Sequence, residues 1–218
     1  MARTHKEANN LPLAGIALGY ALALAFALNG ASFISRASTF TGALGAGVLL
    51  SLVGYLISIL LLGQLDAIQK ARLIFLRWSD PLPGGEAFSR WIDADSRIDK
   101  LEIRRKHAPF PEDRAAQNRL WYKLYKAVDK EGAVEDASKH YLLCRDATIL
   151  SIFMGAITVA VLILYQDSAS ILIGYSLLTA LISLSFWQAA RMAGRRLVIS
   201  VLILNPSTEQ PVPSSIIT

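Results

Sequence analysis

Residues 147–190 read ATILSIFMGAITVAVLILY, QDSAS, ILIGYSLLTALISLSFWQAA: two apolar runs either side of a five-residue turn. Neither run, 147–165 or 171–190, contains Lys, Arg, Asp, Glu or His. About twenty apolar residues, rising about 1.5 Å each, cross a hydrocarbon core of about 30 Å. A helix in that medium satisfies all its backbone donors and acceptors internally. The stretch therefore predicts a transmembrane hairpin. Two earlier runs, 11–28 and 40–63, are equally free of charge. Pro12 suits the first turn of the first run, where its missing N–H costs nothing. Ala25-Phe26-Ala27 resembles a signal-peptidase site, but the apolar stretch exceeds the roughly 7–15 residues of a signal core and reads as a span.

The orientation follows from Lys and Arg. Arg3 and Lys6 precede the first run, only Arg36 lies between the first two, and Arg191, Arg195 and Arg196 follow the fourth. The block 64–146 holds sixteen Lys/Arg, whereas the turn 166–170 holds none. The expected fold class is therefore all-α: a four-span transmembrane helical protein with both termini cytosolic. A helical cytosolic module at 64–146 is inserted between spans 2 and 3. Residues 1–63 supply the N-terminal flank and spans 1 and 2, residues 147–190 supply spans 3 and 4, and 191–218 form a cytosolic flank and disordered tail. Over the 218 residues, 53% are hydrophobic and 18% charged, with a mean hydropathy of +0.40. The expected site is the cell inner (plasma) membrane, and the net charge of +5 is read as orientation.

Lipid tails are as apolar as leucine, so close packing at small residues joins helices in a bilayer. Gly15 and Gly19 form a G-x-x-x-G pair, and Gly42 and Gly47 open the second run; these four are the expected packing positions. Intramembrane charges mark proton relays, and their absence speaks against a proton-coupled pump. Ser51, Ser58, Thr158, Ser176, Thr179, Ser183 and Ser185 are expected to bond to their own helix backbones rather than line a pore. Arg191, Arg195 and Arg196 are expected among lipid headgroups. Leu197–Leu204 (LVISVLIL) is too short to span. It leaves open an interfacial segment, an extension of span 4, a strand, or packing on the module.

Within the module, Leu65, Ile68, Ala71, Phe75 and Trp78 predict a helix continuing from span 2. Asp80-Pro81-Leu82-Pro83-Gly84-Gly85 ends it. A second helix is expected over Glu86–Lys106. A third begins near Glu112 and Asp113, with Gln117, Leu120, Trp121, Leu124, Tyr125 and Val128 on one face. From Ala133 the chain is expected to run as helix into span 3. Trp78, Trp91, Trp121 and Tyr125 are the candidate module core or partner-docking residues. Sixteen basic residues face fourteen acidic ones in this block. Direct nucleic-acid binding, which needs surplus positive charge, is not expected.

No P-loop, dinucleotide fingerprint or hydrolase motif occurs, and no catalytic residue, metal or cofactor is assigned. His140 and Cys144 share a helix face, so an interfacial enzyme using His140, Cys144 and Asp146 is the alternative, with a transporter or assembly factor beside it. The lone Cys144 fits a reducing compartment. The favoured reading is a non-enzymatic, homo-oligomeric membrane subunit that contacts lipid and couples to a soluble cytosolic protein partner.

Arg119-Leu120-Trp121-Tyr122-Lys123, leading toward a tight two-span hairpin, resembles the small multi-pass membrane subunits and effectors of bacterial anti-phage defence. These include the Kiwa membrane subunit and the membrane effectors of cyclic-nucleotide signalling. The resemblance is architectural. It implies a homo-oligomer, a cytosolic partner and action at the bacterial inner membrane.

Overall fold

The computed structural model describes residues 10–29, 46–165 and 168–204, and every regular element among them is helical. The helices are α1 (Asn10–Asn29), α2 (Ala46–Gln64), α3 (Ala67–Phe75), α4 (Lys100–His107), α5 (Arg114–Val128), α6 (Gly132–Tyr165) and α7 (Ala169–Leu204). A tight 3-10 turn covers Pro83–Glu86 and a wider π-helical turn covers Ala87–Trp91. Three helices, α1, α6 and α7, are long and apolar enough to cross a membrane. Part of the remaining expected span forms α2. The N-terminal flank, the loop holding Arg36, Gly42 and the tail from residue 205 lie outside the described residues, as do the surroundings of Gly47.

The chain divides into two compact units. One holds the described residues up to Ile74 together with Leu142–Arg191; the other holds Phe75–Tyr141 together with the described residues from Met192. In the first, Leu13 and Tyr20 of α1 pack with Ala147, Leu150 and Met154 of α6. A second cluster joins Leu24 and Ala27 to Leu162 and Tyr175. Gly155 faces Thr179 of α7, and a Cβ there would make an ordinary contact 3.4 Å from Thr179 Cβ. Ile173, Leu177, Leu181 and Leu184 of α7 are instead exposed, an apolar surface suited to lipid. Thr158 donates to Met154 O at 2.7 Å and Ser185 to Leu181 O at 2.8 Å, each bonding within its own helix. Ser151 instead donates across to Ser183 at 3.1 Å, and the side chains of Ser51 and Ser58 lie outside the described residues.

Two expected helices break where side chains compete for the backbone. Span 2 does not run on through Trp78, because α2 stops at Gln64 and a new helix starts. Asp66 accepts from Gln69 N at 2.6 Å while Gln69 Oε1 accepts from Asp66 N at 2.9 Å. This reciprocal capping box satisfies the first-turn donors of α3. The helix expected over 86–106 is reduced to the Ala87–Trp91 turn, an irregular stretch, and α4. Asp95 Oδ1 takes the Arg97 N–H at 3.0 Å, a local turn that diverts the backbone from helical bonding. Asp99 then caps α4 by accepting from Glu102 N at 2.9 Å.

Leu197–Leu204 continues α7 as helix. Leu197, Val198, Val201 and Leu202 are buried, at the helical spacing of one stripe, in the second unit. Gly194 lies beneath Phe75 and Tyr141, whose rings would come within 2.9 and 3.2 Å of an added Cβ. The second unit is thus held partly by residues far along the chain from its main block.

Leu202→Ala, which empties a site with no exposure, is expected to cost about 2–5 kcal/mol of unfolding free energy. Gly15→Ala and Gly19→Ala should leave the unfolding midpoint of the detergent-purified chain unchanged or slightly raised. Among the described residues, nothing lies within 4 Å of a Cβ at either position, and alanine favours helix. Thermal unfolding followed by circular dichroism checks both.

Candidate functional site

The most tightly built locus lies in the second unit and is organised by α5. Asp113 caps α5 by accepting from Ala116 N at 2.9 Å. Gln117, buried one turn on, accepts with Oε1 from Phe88 N and Ser89 N, both at 3.2 Å, and so anchors the Ala87–Trp91 turn. Trp121 sits beneath the preceding turn. A Cβ at Gly84 would come within 2.5 Å of the indole Cε3 and 2.7 Å of Asn118 Oδ1, so only glycine fits. Trp121 also stacks on Tyr125 with centroids 5.6 Å apart, and Tyr125 Oη lies 3.3 Å from Ser138 Oγ. Trp121 belongs to the interior of this unit, and Tyr125 is half-buried beside it.

These contacts fix Glu86, which is buried. Arg77 Nη2 lies 2.7 Å and Arg114 Nη2 2.9 Å from Glu86 Oε1, and Arg90 Nη1 lies 3.5 Å from Oε2. The Arg90 guanidinium also covers Trp91, 4.5 Å from the ring centroid, and Arg195 covers the same ring at 4.9 Å. Three arginines from residues 77, 90 and 114 converge on one carboxylate. Sequence reading missed this, because the four positions share no periodic pattern.

A separate cavity of about 510 Å³ is lined by Asp95, Arg97, His140, Arg196, Ser200 and apolar residues including Ile199 and Ile203. Arg97 holds the Asp95 carboxyl down to about 2, first through its side chain and then through its backbone N–H. Their ion pair therefore keeps its full effect above the unfolded value of about 3.9 and is lost as pH falls through about 2. Arg196 belongs to this cavity wall and Arg195 to Trp91, while Arg191 covers Trp187 at 4.8 Å. The three arginines expected as one headgroup set thus have three different neighbours. Trp78 differs again, with 84% of its surface exposed.

The first unit holds its own buried charges. Asp146 Oδ1 receives Arg145 Nε at 3.0 Å and Lys70 Nζ at 3.4 Å, with the three side chains only 12, 14 and 10% exposed. Cys144 is buried and forms no disulfide among the described residues. Thr148 donates to the Cys144 carbonyl at 2.7 Å. Asp146 thus serves as the acceptor joining α3 to α6. Among the described residues no group of three or more His, Cys, Asp or Glu could hold a metal ion.

Asp146→Ala is expected to destabilise the chain by about 3–5 kcal/mol, since it removes the carboxylate that two buried cations share. Lys70→Met, which leaves Arg145 and Asp146 balanced, should cost less than half as much. Denaturant unfolding of the two variants side by side makes the comparison. No family model, curated protein or solved structure matches the chain.

Proposed function

We propose that this chain is a non-enzymatic, multi-pass membrane subunit whose helical module couples to a soluble protein. The observation that carries the reading is Trp78. It is 84% exposed on the short stretch between Leu76 and Asp80, which hold φ values of 52° and 45°. A left-handed backbone at a bulky leucine costs of order 1–3 kcal/mol and persists only where its surroundings impose it. Leu76 is itself 69% exposed and Leu101 81%. Large apolar groups exposed on and beside a strained stretch, with Leu101 exposed on α4, suit burial by a partner, and Trp is the residue most enriched at energetic hot spots.

The proposal includes four spans with both termini cytosolic, as the distribution of Lys and Arg predicts. It also includes a homo-oligomer. Leu11, Leu18, Leu22 and Phe26 of α1 are exposed on the same side as Gly15 and Gly19, opposite the face that packs within the chain. That arrangement suits close helix contact between copies. The resemblance to anti-phage membrane subunits makes the bacterial inner membrane and a defence role the context of the proposal.

Purification of the full chain in mild detergent tests it. The expected result is an oligomer carrying a soluble protein. Trp78→Ser with Leu76→Ser should release that protein without lowering the unfolding midpoint. Gly15→Ile with Gly19→Ile should reduce the oligomeric mass. Cys144→Ala and His140→Ala should change neither. A lone monomer whose catalytic turnover vanishes in Cys144→Ala or His140→Ala would replace this reading with a membrane enzyme.

A further inference from the structure

We infer that the arginine cluster around Glu86 is a binding site for a phosphate monoester dianion. The argument starts from an imbalance. Arg77, Arg90 and Arg114 all meet Glu86, and among the described residues no second carboxylate lies within ion-pair distance of any of them. Three cations against one anion leave a formal charge of +2. The donors are in excess as well. Each guanidinium carries five N–H groups, whereas one carboxylate offers about four lone-pair sites. After Glu86 is saturated, most of the fork donors remain without an anionic acceptor.

Accessibility points the same way. The Glu86 side chain is 11% exposed, but those of Arg77, Arg114 and Arg90 are 26, 44 and 61% exposed. The three arginine side chains are therefore more open to an anion arriving from solvent than the carboxylate they share. Glu86 acts as the fixed inner counter-ion that gathers and orients the three forks. It is held by the turn that Gly84 presses onto Trp121. Arg90 is steadied over Trp91, and Arg195 brings a fourth guanidinium to that ring.

A charge of about −2 with three acceptor oxygens is what this arrangement lacks, and a phosphate monoester supplies both. Arginine forks match its geometry through paired N–H···O bonds. A phosphate diester, with one negative charge, leaves the site unbalanced. The monoester has two sources, a lipid headgroup such as phosphatidic acid or a soluble phosphate.

The test uses the full chain in detergent. Inorganic phosphate, against chloride at matched ionic strength, is titrated by calorimetry. Lipid retention is read by native mass spectrometry after adding phosphatidic acid or phosphatidylglycerol. The expected result is saturable phosphate binding that weakens roughly tenfold in Arg90→Ala, the loss of one charge-assisted bond. Arg90→Gln, which keeps a stem over Trp91, should weaken it similarly, so a folding defect in one variant does not decide the outcome. Retention of phosphatidic acid over phosphatidylglycerol assigns the dianion to lipid. Phosphate binding without that preference assigns it to a soluble ligand, and either result supports the site. Absence of saturable binding by phosphate and phosphatidic acid overturns it. So does equal affinity in both Arg90 variants at an unchanged unfolding midpoint.

Discussion

Hydrocarbon offers no hydrogen bonds, so a segment within it must close its own backbone ladder and carry no stranded charge. α6 and α7 are built to that constraint and then exceed it. At 34 and 36 residues they are about 51 and 54 Å long, against a hydrocarbon core of about 30 Å. The charged residues of α6 end at Asp146, and those of α7 begin at Arg191. The division between the two compact units falls close to both points, at Tyr141 and Leu142 and at Arg191 and Met192. Each helix therefore contributes an apolar length to one unit and a mixed or amphipathic end to the other.

Both units bury charge, in different ways. Asp146 meets one lysine and one arginine within a nearly dry setting, which favours one arrangement of α3 on α6. Such a pair is weak evidence for stability and stronger evidence for a fixed register, since every alternative strands an ion. Glu86 meets three arginines and leaves positive charge outward. The Asp146 cluster is closed off by burial, with all three side chains under 15% exposed, whereas the arginines at Glu86 remain open to solvent.

The residues that misled sequence reading are instructive. Asp93, Asp95 and Asp99 alternate with basic residues in a pattern that suits a solvated helix. Yet Asp95 folds back on the Arg97 backbone, and Asp99 starts a helix rather than continuing one. Local carboxylates won over periodicity because their bonds form within two or three residues. The capping box of Asp66 and Gln69 was present in the sequence as well, but the apolar spacing through Trp78 outweighed it. By contrast α5 followed its pattern closely, with Gln117, Trp121, Leu124 and Val128 buried along one stripe.

Helical class and the location of the long apolar segments were already determined by the order of residues, because charge-free length and a period near 3.6 are properties of neighbours along the chain. The start of α5 near Asp113 was legible on the same basis. Tertiary structure decided which tryptophan is interior and which is exposed. It also determined that Leu197–Leu204 completes the second unit as helix, and that Arg77, Arg90 and Arg114 meet at Glu86. Those outcomes depend on contacts between residues far apart in the chain, such as Glu86 with Arg114, 28 positions away. Such pairs leave no periodic trace, since their energies exist only once the backbone has brought them together.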